Sequence, residues 1–174
     1  RNRIEAESSE IWSKVREELE FKVDTTSKTK DPDEALAAQI SEWETSANWY
    51  ELGKTWIELE QYDKASESMN KALDAAGDDT LQMAKALLLK GRILSNEEEW
   101  QQALTNFNKA YDLTDEKEEA LLAELSFRIA NIFATHNRPD TAIAWYEEVT
   151  STESEIDQTI LAKSHRNIGL LYAE

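Results

Sequence analysis

Trp49-Tyr50-Glu51-Leu52-Gly53-Lys54-Thr55-Trp56 opens a pattern that continues to Ala65, Met69 and Ala72. Counted from Gly53, the same offsets return at Gly91, Leu94, Ala103, Phe107 and Ala110. They return again at Ala130, Phe133, Ala142, Tyr146 and Val149, and a fourth start stands at Ile168, Gly169 and Tyr172. The small residues at 53, 91, 130 and 169 lie 38, 39 and 39 positions apart. A fixed period of that size marks an array of stacked units. Within each unit, Trp49, Leu52, Gly53 and Trp56 share one face of a helix. Ala65, Met69, Ala72 and Leu73 form a matching stripe on a second helix, as do Ala103, Phe107, Ala110 and Tyr111. The Gly or Ala at the centre of the first stripe lets the paired helix come close. Such a hairpin cannot bury its apolar faces alone, so its neighbours must stack on it.

These residues resemble the tetratricopeptide repeat, whose fingerprint is W-x2-L-G-x2-Y, then A-x3-F, then A and P. Trp49, Leu52 and Gly53 match the first block, with Trp56 in place of its Tyr. Ala65, Met69 and Ala72 match the second. Later copies depart from it: Lys90 replaces an apolar residue, Ser126 and His165 replace the Trp, and Gly77, Asp115 and Ser154 stand where the closing Pro belongs. The resemblance covers about residues 33 to 174. It implies an all-α, right-handed superhelical solenoid of antiparallel helix pairs, A and B. The expected repeats run about 33–77, 78–114 and 115–153, with the first helix of a fourth over 154–174. The family's usual period is 34, so each copy has room for about one more helical turn. Asp78-Asp79-Thr80 and Thr114-Asp115-Glu116 are expected to cap lengthened A helices, and Asn137-Arg138-Pro139-Asp140 to turn into the third B helix.

Before the array, residues 3–23 read as an amphipathic helix with Ile4, Ile11, Val15 and Leu19 on one face, followed by a linker through Asp24–Pro32. Residues 1–31 are thus an N-terminal element outside the repeat, and 32–174 are the array. The start at Arg1 reads as an excised fragment. At the other end, Leu161, Ile168, Leu171 and Tyr172 have no following B helix in the sequence, so the last helix is expected either to serve as a terminal cap or to pair its outer face with another chain.

Composition limits the function. The chain of 174 residues holds 36 acidic and 19 basic side chains, a net charge of −17. Residues 1–30 are neutral, so residues 31–174 carry the whole excess. Such a surface repels phosphate backbones and anionic membranes, which argues against nucleic acid and membrane partners. No apolar run is long enough to span a bilayer. The absence of Cys excludes thiolate chemistry and disulfides and fits a reducing compartment such as the cytoplasm. No phosphate loop, G-x-S-x-G or H-E-x-x-H is present. His136 reads as a helix C-terminal residue and His165 as a packing substitution, and neither has the partners of a zinc site. No cofactor, metal or enzymatic activity is expected, and the six Trp read as core.

The resemblance implies a binding face along the A helices, at positions 2, 5, 9 and 12 of each repeat. Those places hold Ala47, Tyr50, Lys54 and Ile57, then Lys85, Leu88, Arg92 and Ser95. They continue as Glu124, Phe127, Asn131 and Ala134, and as Lys163, Arg166, Leu170 and Ala173. Five of the six charges on this stripe are basic, opposite in sign to the rest of the array. The expected site is therefore Tyr50, Lys54, Lys85, Leu88, Arg92, Phe127, Asn131, Lys163 and Arg166, holding an acidic or amphipathic segment of a protein partner. The same cations could instead neutralise acidic neighbours on their own solenoid. Chaperone-binding members clamp a C-terminal carboxylate with a Lys and Asn pair on the first A helix; Tyr50 and Lys54 stand there, so that clamp is not reproduced. A scaffold or adaptor is the leading reading. A peptide-sensing regulatory domain and a structural assembly arm are the alternatives, and periods near 40 resemble those of ciliary and cell-polarity proteins.

Overall fold

The computed structural model describes residues 45–152 and 156–173. The expected N-terminal helix over 3–23 and its linker lie outside the described residues. Within the described residues every element is a helix: α1 (Ser46–Glu58), α2 (Tyr62–Ala76), α3 (Thr80–Asn96), α4 (Trp100–Leu113), α5 (Glu119–Thr135), α6 (Pro139–Thr150) and α7 (Gln158–Leu171). Each A helix pairs with the B helix that follows it, as α1–α2, α3–α4 and α5–α6, and each B helix also packs on the next A helix. The A helices α3 and α5 are 17 residues long, against 15, 14 and 12 for the B helices. The extra turn implied by the period is therefore in the A helices.

Each hairpin closes around one small residue. A methyl group on Gly53 would collide with the Met69 side chain, and one on Gly91 with the Phe107 ring. The residues that fill this contact in the three pairs, Met69, Phe107 and Tyr146, are all fully buried. Phe107 lies in a core cluster with Leu87, Leu88, Ala103, Leu125 and Ile129, and Tyr146 in another with Phe127, Ala130, Ala142, Val149 and Ile156. On the first pair, α2 covers the outer tryptophans with cations: Lys71 Nζ lies 4.4 Å from the Trp49 ring centre and Lys64 Nζ 4.6 Å from that of Trp56.

The three A-to-B turns share one geometry. Glu60, Glu98 and Asn137 have φ of 56°, 64° and 56°, the left-handed region. The next amide reaches back to the third carbonyl from the helix end each time: Gln61 to Trp56 at 2.9 Å, Glu99 to Leu94 at 2.9 Å and Arg138 to Phe133 at 3.0 Å. This is the Schellman closure of a helix C-terminus. After the third of these turns, Pro139 opens α6, where its missing N–H costs no helical hydrogen bond.

The B-to-A turns differ from one another. Asp79 caps α3 as expected, its side chain accepting from Gln82 N at 3.0 Å. The expected cap at Thr114-Asp115-Glu116 is not one. Asp115 accepts from Lys117 N in a separate turn, and α5 begins only at Glu119. A single-residue cap signal cannot say whether an aspartate opens a helix or a turn of its own. His165 is also not a packing substitution: it is exposed, whereas Trp49 in the equivalent place is buried.

Candidate functional site

The stripe can be followed helix by helix. On α1, Tyr50 is half-buried, and burial pushes its phenol above the ordinary value; the charges of Lys54 and Arg92 pull it down, those of Glu51 and Glu124 push it up. A side chain on α1 thus feels charges on α3 and α5. Lys54 is taken by its own helix: Nζ lies 2.9 Å from Glu51 Oε2, and that hydrogen bond raises its pKa. Lys85 and Arg92 on α3, and Lys163 and Arg166 on α7, form no ion pair among the described residues. Lys85 and Arg92 are half-buried, and Lys163 and Arg166 are exposed.

Two expected contact residues are elsewhere. Leu88 is 3% exposed and Phe127 7% exposed, each inside a core cluster. They form the floor beneath the stripe and offer a partner little area. The stripe rule fixes a helix face but not how far the neighbouring helix closes over it. Asn131 is divided between two roles. Its Oδ1 accepts from Tyr146 Oη at 2.6 Å, and Asn167 Nδ2 donates to the same hydroxyl at 2.9 Å. This network ties α5, α6 and α7 together and fixes the Asn131 amide, whose nitrogen has no partner among the described residues.

Between α3 and α5 the stripe opens into a cavity of about 780 Å³. α1 packs on α3 and α5 on α7, and Leu87 and Leu88 of α3 share a core cluster with Leu125 and Ile129 of α5. The cavity is lined from α3 by Arg92 and Ser95, from the turn by Glu98, from α4 by Trp100 and from α5 by Arg128 and Asn131, among others. Arg128 gives one hydrogen bond from Nη2 to Glu124 Oε1 at 3.0 Å. Its Nε is buried with no partner, a state that costs on the order of 1–3 kcal/mol. Trp100 is 39% exposed and stacks on His136, with ring centres 4.2 Å apart. The His136 Nδ1 lies 2.8 Å from Ile132 O, which fits a proton on Nδ1.

Arg128 and Trp100 were not among the expected site residues. Arg128 falls off the stripe by one position, and Trp100 reads as core because five other Trp share the chain. The Glu124–Arg128 spacing of four was the available signal. Among the described residues, no three His, Asp or Glu side chains cluster as metal ligands. No helix there is long and apolar enough to cross a membrane.

Residues 46–79 match the family model of the tetratricopeptide repeat, which spans α1, α2 and the turn into α3. No curated protein matches the chain. The next helix pair repeats the close-packed glycine of the matched pair, and the next two repeat its left-handed turn, 38 and then 39 residues on. Residues 46–79 thus form a tetratricopeptide repeat, a unit that typically serves as a protein-interaction module, within an array that is helical throughout the described residues.

Proposed function

We propose that the chain is a non-enzymatic scaffold that holds an acidic or amphipathic segment of a protein partner along the A-helix stripe. The observation that carries this reading is the set of cations without a carboxylate partner among the described residues: Lys85, Arg92, Lys163 and Arg166. In a chain of net charge −17, neutralisation by local acids would be the easiest arrangement, and among the described residues only Lys54 of the five basic stripe residues has it. An isolated surface pair contributes about 0–1 kcal/mol. Several like charges on one face focus the field and steer an oppositely charged segment into register. Tyr50 supplies an aromatic surface on the same stripe.

The test is selection from a displayed peptide library at low salt, followed by affinity measurement on the triple variant Lys85→Glu, Lys163→Glu, Arg166→Glu. Selected peptides should be rich in Asp and Glu, and the variant should bind them at least about tenfold more weakly. Selection of neutral or basic peptides, or equal affinity for the variant, overturns the reading. A second reading, assembly through the last helix, draws on Leu170 and Tyr172, which are 52% and 70% exposed. A mass in light scattering that rises with concentration, and no longer does so in Leu170→Asp, would favour it.

A further inference from the structure

The cavity between α3 and α5 interrupts the stripe at the place where its donors are densest. Resting on the groove reading above, we infer that this cavity seats the side-chain carboxylate of one acidic residue in the bound segment, held by Arg92, Arg128 and Asn131 against the wall formed by Trp100.

The donors are already arranged for an acceptor that the protein does not provide. Among the described residues Arg92 has no ion-pair partner, and Arg128 has only its bond to Glu124. Tyr146 holds the Asn131 carbonyl oxygen, so the amide nitrogen is the half of that group left for a ligand. The two hydroxyls that line the cavity are directed elsewhere: Ser95 donates to Gly91 O at 2.9 Å and Thr135 to Ile132 O at 2.9 Å. A guanidinium fork matches a carboxylate in plane and spacing.

Charge selects among anions. Two guanidinium groups and one carboxylate, Glu98, line the cavity, so the lining itself carries one net positive charge; Glu124, outside that lining, pairs with Arg128. A single negative charge balances the lining, whereas a phosphate dianion exceeds it. Position selects between a side chain and a chain end. Arg92 and Asn131 lie on the stripe itself, with Tyr50 and Lys85 before them and Lys163 and Arg166 after. A segment following the stripe crosses the cavity mouth and continues, so it presents a side chain there. Trp100, propped by His136, gives the methylene groups of that side chain an aromatic face.

The experiment is a titration of the full 174-residue chain with N-acetyl-glutamate N-methylamide, followed by NMR at the Arg Nε–H, Asn131 Nδ2 and Trp100 indole N–H signals. Saturable shifts at Arg92, Arg128, Asn131 and Trp100, with none from the glutamine analogue, are expected. Arg92→Gln and Arg128→Gln should each weaken the effect at least about tenfold. Arg92 has no ion pair to lose, so its variant keeps the test valid if Arg128→Gln perturbs the fold. Absence of saturable shifts, or equal shifts spread over Lys85, Lys163 and Arg166, overturns the inference. So does tighter binding of N-acetyl-alanine or of the phosphoserine analogue, which would mean a chain end or a phosphate. Peptides that lose affinity on charge reversal at Lys85, Lys163 and Arg166 but not on Arg128→Gln would uphold the groove and overturn the cavity.

Discussion

Gly91 and Tyr111 show how far a single position can be reasoned about. A methyl group on Gly91 would sit against the Phe107 ring, with Cδ1 2.6 Å away, and Phe107 is 1% exposed among close-packed neighbours. The ring cannot swing aside without moving α4, so Gly91→Ala should destabilise the protein by about 1–3 kcal/mol. Urea denaturation read by circular dichroism measures it; an unchanged midpoint would mean the hairpin is looser than its geometry. Tyr111 makes a different kind of prediction. Its hydroxyl donates to Glu148 across α4 and α6, and its ring stands edge-on to Trp145. Burial, then that hydrogen bond, pushes its pKa up to about 12. The folded state therefore keeps the phenol proton after the unfolded chain, with a pKa near 10, has lost it. The resulting stabilisation is complete below about pH 10 and is lost as pH rises toward 12. Absorbance at 295 nm, wild type minus Tyr111→Phe, should show a tyrosine titrating near pH 12, and the melting temperature of Tyr111→Phe should fall less than that of wild type across that window.

At the scale of one element, the A-to-B turn shows what the sequence discloses and what it does not. Glu60 and Glu98 occupy left-handed positions that glycine fills most easily. Nothing about a glutamate announces this, and only the period that aligns them with Asn137, 38 and 39 residues on, places all three in one turn. Glu98→Gly should stabilise the protein by about 1 kcal/mol through relief of the left-handed backbone, and Asn137→Gly by less, since asparagine tolerates that region. Thermal melts of the two variants check the order; equal shifts would mean the turn is relaxed in both. The same contrast runs through the fold. Helix pairing and the buried faces were legible because apolar spacing and a small residue at a crossing are physical necessities of close packing. Asp79 was legible as a cap, whereas Asp115 was misread because both helices and turns use aspartate at their start. The site was legible only as a face. The stripe named Arg92 and Asn131, but it could not foresee that Leu88 and Phe127 are covered, nor that Arg128 and Trp100 line the cavity beside it. Those facts depend on distances between helices, which no residue on one helix encodes.

For the whole molecule, the charge distribution sets two effects of salt against each other. The net charge of −17 destabilises the compact state through self-repulsion, and added salt screens it. Only three ion pairs stand among the described residues, all within single helices, so little attraction is lost in exchange. The melting temperature should therefore rise by a few degrees between about 50 and 500 mM NaCl. The proposed binding responds the other way. Attraction between the unpaired stripe cations and an acidic segment crosses solvent, so the same salt should weaken affinity for a selected acidic peptide about tenfold, mainly through slower association. Measuring both on one preparation separates them. A protein that melts higher in salt yet binds more weakly carries its excess acid and its basic stripe on different faces. Affinity that rises with stability would instead mean that binding is driven by apolar area, with Tyr50 and Trp100 as its source and the cations as bystanders.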